Sequence, residues 1–213
     1  MASKPCPSCV SDSLTCSVGT PTPMRKRSGI SKNAPGATVV SNFARKVSIN
    51  GVTSPEKNPN VPRKPAEIVD DAFRALDAGA SLIHAHNSDI QLRGEEAGRD
   101  YLAAWVPILA RRPDTLWYPT LCVGNSAAEM LAHIEPILRE VPLRLSVVDP
   151  GSTNLGMPDE EGLTQGIVYA NSYADIRYGF ELCARLRLAP SLAIYEPGFL
   201  RAVLAYHRAG RLP

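Results

Sequence analysis

His84 and His86 stand in the run Ser81-Leu82-Ile83-His84-Ala85-His86-Asn87, at the end of an apolar, strand-like segment. A strand sends alternate side chains to opposite faces, so Leu82, His84 and His86 share one face while Ile83 and Ala85 take the other. Neutral imidazole is the commonest transition-metal ligand, and a catalytic zinc usually takes three protein ligands and keeps one position open. This spacing supplies two of the three from a single strand. The same pair is also compatible with two histidines satisfied by hydrogen bonds at a strand end. What decides between these readings is the set of elements around the strand.

Those elements begin after a tail. Residues 1–45 are dominated by Ser, Thr, Pro, Lys and Arg, with Asp12 as the sole acid and no sustained apolar periodicity. They read as a disordered tail. Cys6-Pro7-Ser8-Cys9 has Cys-x-x-Cys spacing, but with Cys16 as the one other nearby cysteine the matching half of a zinc or redox site is missing. The basic, acid-poor composition also resembles an organellar transit peptide; a start at Met24 would explain it equally well. Cys122 and Cys183 are expected to be reduced and partly buried, which with the absence of a secretory leader favours the cytoplasm.

Over 213 residues, 44% hydrophobic and 21% charged, the composition is that of a globular protein able to bury a core. A formal net charge of +2, with basic residues interleaved with acids, gives no case for nucleic acid. No apolar run approaches the roughly 20 residues of a membrane-spanning helix.

From Lys46 the chain alternates short β-rich runs with helical ones, the signature of βα units and a parallel sheet in one domain, 46–213. Six units are predicted. Their strands are 47–52, the histidine strand, 115–120, 143–149, 166–171 and 191–196. Helices are predicted at 65–78 with Gly79 ending it, and at 99–111, 127–140, 173–187 and 198–209. Polar residues gather at the carboxyl ends of the strands: Thr53, His84, His86, Asn87, Thr120, Asp149, Ser152, Asn154, Asn171 and Glu196. In a (β/α)8 barrel that end holds the active site. Trp105 and Trp117 read as packing residues. His133 reads as a solvent-facing mid-helix residue, and His207 as a cation at a helix end.

Several ordered motifs resemble the β-keto acid cleavage enzymes. They are Ile49-Asn50-Gly51-Val52-Thr53, Asn58-Pro59-Asn60-Val61-Pro62, Ala78 to His86, Asp149-Pro150-Gly151-Ser152-Thr153-Asn154-Leu155-Gly156, and Tyr195-Glu196-Pro197-Gly198-Phe199-Leu200. The resemblance implies a zinc-dependent (β/α)8 barrel that condenses a β-keto acid with acetyl-CoA and cleaves the product to acetoacetate and an acyl-CoA. It implies His84 and His86 as zinc ligands and substrate hydrogen bonds from Asn87, Thr120, Ser152 and Asn154. Homo-oligomers are common in the family.

The family's third zinc ligand, a Glu beside a catalytic Arg and Asp, belongs to a later strand that this sequence does not contain. The family's glutamates on the sixth strand and after the first align with Ala193 and Thr53. Glu196 and Asp149 are then the carboxylates that could act catalytically, Glu196 equally as a cap, while for Asp149 a brace for the Pro150-Gly151 turn is the favoured alternative. The expected architecture is an incomplete TIM-type barrel, inactive alone. Two other readings are a non-catalytic barrel remnant that binds acyl-CoA or a protein partner, and a metal-dependent barrel hydrolase. Acetyl-CoA dependence separates the first reading from the last.

Overall fold

The computed structural model describes residues 45–213, so the expectations for the tail, including Cys6, Cys9 and Cys16, lie outside the described residues. Strand β1 (Lys46–Ser48) is followed by helix α1 (Pro65–Asp77). Pro65 opens α1 with a φ already helical, and the Glu67 carboxylate accepts the backbone N–H groups of Arg63 and Lys64 at 2.9 and 3.1 Å. Ile68 and Ala72 bury the inner stripe of α1, and Gly79 ends it at φ 92°.

Strand β2 (Leu82–Ala85) leads to α2 (Gly94–Arg111), which begins five residues before the predicted Arg99. Gly98 looks like a breaker in sequence. Here it is a contact surface, since a Cβ at Gly98 would stand 2.6 Å from the Cβ of Pro136. The glycine lets two helices approach closely. Strand β3 (Leu116–Pro119) exits on its proline. The helix predicted over 127–140 is two, α3 (Ala127–Met130) and α4 (Ile134–Glu140). Pro136 falls in the first turn of α4, where a missing N–H costs no helical bond, so the restart suits it.

Strand β4 (Leu145–Val148) precedes β5 (Thr153–Pro158) and β6 (Thr164–Tyr169); then come α5 (Tyr173–Leu186), β7 (Ala189–Leu192) and α6 (Pro197–Arg208). β1, β2 and β3 form one parallel sheet, with Ser48, His84 and Tyr118 in register. β4 and β7 form a second parallel pair with Val147 opposite Ser191, and β3 lies beside β4. The α/β class is as expected. The count of six βα units is not: the fifth predicted strand, 166–171, belongs to an antiparallel β5–β6 hairpin, which leaves five parallel strands and no closed barrel among the described residues. Asp159 and Gly162 (φ 84°) build the hairpin turn, the Asp159 carboxylate accepting the N–H groups of Glu161 and Leu163.

The helices cover one face of the parallel strands. Ile83, Ala85 and Trp117 point into that layer, where the Trp105 and Trp117 rings stack at 4.0 Å. Cys122 and Cys183 are both free, and both are fully buried rather than partly so. At the turn after β4 the fit is tight. A Cβ on Gly151 would lie 2.3 Å from Cδ1 of the buried Phe199. Gly151→Ala should therefore overpack the α6 junction and lower stability by about 1–3 kcal/mol, measured by denaturant unfolding.

Candidate active site

The face of the sheet turned away from the helices lines a cavity of about 780 Å³. Period-two alternation decides what reaches it. Lys46 and Ser48 come from β1, His84 and His86 from β2 and its exit, Tyr118 and Thr120 from β3 and its exit, and Val147 and Asp149 from β4 and its exit. Ser191, Ala193 and Tyr195 continue the pattern from β7, and the hairpin adds Leu155, Ile167 and Tyr169.

The two imidazoles meet edge to face with ring centroids 5.2 Å apart. His84 stacks on Tyr118 at 4.6 Å, and its Nδ1 lies 3.3 Å from the Tyr118 carbonyl oxygen. An N–H donated there leaves Nε2 with a free lone pair. His86 has a buried Nδ1 without a partner. Burial, then the neighbouring charges of His86 and Lys46, hold His84 down at about 4, and burial also lowers His86. Both rings are therefore neutral at pH 7, the form that binds metal.

The backbone of His86 is clamped from the segment just after β1. Asn50 Oδ1 accepts its N–H at 2.6 Å, and Asn50 Nδ2 donates to its carbonyl at 3.0 Å and to that of Pro62 at 3.3 Å. The buried Tyr101 hydroxyl ties the neighbouring exits together, donating to the Ala85 carbonyl and accepting the Thr120 N–H. Removing the clamp with Asn50→Ala leaves a half-buried N–H and carbonyl to find water. We expect a loss of about 1–3 kcal/mol in denaturant unfolding, with Asn50→Asp intermediate because it keeps the acceptor.

Asp149 is the carboxylate of the cavity. Its Oδ2 accepts the Tyr169 hydroxyl at 2.6 Å, while its Oδ1 is buried without a partner. Burial raises its pKa against the opposing effects of Tyr169 and Lys46, so it takes up a proton more readily than an ordinary aspartate. It does not brace the turn; the bond it makes is to Tyr169.

The structure thus brings together His84, His86, Thr120 and Asp149. It does not bring in the other four predicted residues, and parity explains most of them. Asn87 follows His86 and turns into the protein, buried with an unpartnered Nδ2. Asn154 is exposed on β5, opposite in parity to the lining residue Leu155. Glu196 follows the lining residue Tyr195 and is exposed at the start of α6, 3.5 Å from Thr153 Oγ1. The Ser152 hydroxyl instead bonds both ways with the Asn171 backbone at the hairpin base. Sequence reasoning missed Lys46, Tyr118, Tyr169 and Tyr195. Lys46 and Tyr118 were accessible by carrying the His84 parity across the register; Tyr169 was not, because it sits on the hairpin.

Two neutral imidazoles on one face, one with an orphaned nitrogen, suit two positions of a zinc site. Among the described residues no group of three or more His, Cys, Asp or Glu side chains is arranged to hold a metal ion. No helix among them is long and apolar enough to cross a membrane.

Residues 46–213 match the model of one protein family, described as beta-keto acid cleavage enzyme. No curated protein matches the chain.

Proposed function

We propose, because this chain belongs to the β-keto acid cleavage enzyme family, that the cavity over His84 and His86 binds a β-keto acid and zinc and supports acetyl-CoA-dependent cleavage. The observation that carries this reading is the convergence of two neutral imidazoles and a carboxylate with a free oxygen on one cavity. Zinc held by His84 and His86 would supply Lewis-acid polarisation of the keto acid's oxygens.

The chain's own groups would do the rest. Asp149 Oδ1 is unpartnered and its carboxyl is biased toward the protonated form, which suits it to take a proton from the methylene between the two carbonyls. The resulting carbanion attacks the thioester carbonyl of acetyl-CoA and expels the CoA thiolate. That thiolate adds to the keto carbonyl, the carbon–carbon bond breaks, and the acyl-CoA leaves. Return of the proton from Asp149 to the remaining carbanion gives acetoacetate. Tyr169 holds Asp149 for both transfers, and the apolar hairpin residues Leu155 and Ile167 line the cavity beside it.

The test is to incubate the purified chain with zinc, acetyl-CoA and a series of β-keto acids and to follow acyl-CoA by mass spectrometry. Product that requires acetyl-CoA supports the reading. Hydrolysis without acetyl-CoA would replace it with a hydrolase, and bound keto acid without any turnover would leave a binding protein.

A further inference from the structure

Among the described residues Lys46 is the one cation on the lining of the cavity. Its ammonium sits 5.0 Å from the centroid of the Tyr118 ring, and Tyr118 in turn stacks on His84. Lys46 makes no ion pair among the described residues. It shares the lining of one cavity with His84 and Asp149, the two groups that would meet a substrate. Asp149, the carboxylate of the same lining, forms no ion pair with it and makes its hydrogen bond to Tyr169. The remaining lining is hydroxyls, neutral imidazoles and apolar side chains. An anionic ligand entering such a cavity loses water and needs a fixed countercharge.

We propose that Lys46 is the carboxylate-recognising residue of this cavity, its ammonium pairing with the carboxylate of the bound acid and selecting β-keto acids over their neutral esters. This inference rests on the β-keto acid reading of the same site. Lys46 enters from the first residue of β1, with its side chain on the face that carries Ser48, and β1 pairs with the histidine strand. Lys46 is thus a specificity residue delivered from the first residue of β1, over the Tyr118 ring.

The experiment is calorimetric titration of the full chain with acetoacetate and, separately, with methyl acetoacetate, for the native protein, Lys46→Met and Lys46→Arg. The native chain should bind the acid ten- to a hundredfold more tightly than the ester, the range of one charge-assisted contact. Lys46→Met should lose that preference and leave the ester unchanged, whereas Lys46→Arg should retain most of it. Failure of the native chain to bind the acid, or to prefer it, overturns the inference, and so does full acid affinity in Lys46→Met. If Lys46→Met does not fold, Lys46→Gln titrated with the same two compounds decides the matter, an acid preference retained there overturning the inference. Lys46-dependent acid binding without acetyl-CoA-dependent cleavage would sustain this inference and sink the enzymatic reading. Cleavage with a KM indifferent to Lys46→Met would do the reverse.

Discussion

Alanine at both His84 and His86 should abolish zinc binding by the purified chain. A residue that merely hydrogen-bonds a metal ligand is worth ten- to a hundredfold in metal affinity, so each ligand itself should be worth more than about a hundredfold. The described residues offer two protein ligands where a catalytic zinc usually has three, so the native chain should bind one zinc and hold it loosely enough for a weak chelator to compete. Competition with a chromophoric chelator reads both quantities. Zinc retained by the double variant would place the metal elsewhere and remove the basis for the proposed chemistry. A fold control is needed because His84 is stacked on Tyr118. Thermal unfolding of the metal-free forms supplies it, since loss of zinc by a variant that still melts cooperatively reports on the ligands alone.

The histidine pair was legible in the sequence because strand parity is a local property that a neighbouring strand does not alter. The same parity explains why Thr120 and Asp149 reach the cavity and why Asn87 and Glu196, one residue out of phase, do not. What a single strand does not carry is its partner. The run 166–171 has the composition of a strand, and it is one over Thr164–Tyr169, but nothing within it says that it pairs back on Thr153–Pro158 rather than joining the parallel sheet. The signal lay in the turn, where Asp159 and Gly162 close a tight hairpin. Gly156 and Gly166 record the pairing too. They face each other across the hairpin so closely that a Cβ on either would stand 2.1 or 2.0 Å from the opposite strand's carbonyl oxygen. Helix ends were displaced for a similar reason. Gly98 serves a contact with Pro136 that lies 38 residues away in the chain, and no local propensity reports it.

His133 was expected to face solvent, and its burial leads to the second large effect. It lies between α3 and α4 with no exposed surface, stacked on Tyr101 at 5.5 Å. Its Nδ1 is 3.4 Å from the Cys122 sulfur, and its Nε2 has no partner. Burial pushes its pKa from 6.5 down to about 4, against the smaller opposing effect of nearby carbonyls. The unfolded chain therefore binds this proton first as the pH falls. The stability contributed by keeping His133 neutral is complete above about pH 6.5 and is lost as the pH drops toward 4. At 1.36 kcal/mol per pH unit the full loss is about 3 kcal/mol, of which roughly 2 kcal/mol should already be gone at about pH 5. Urea unfolding at about pH 7.5 and pH 5 measures it, and His133→Phe isolates it, because a ring of similar shape that does not titrate should remove that share of the acid sensitivity. His84 and His86 are shifted in the same direction and will add to the native chain's total; they cancel in the comparison with the variant. An unchanged pH dependence in His133→Phe would mean that the imidazole is solvated in solution, and that the break between α3 and α4 opens to admit water.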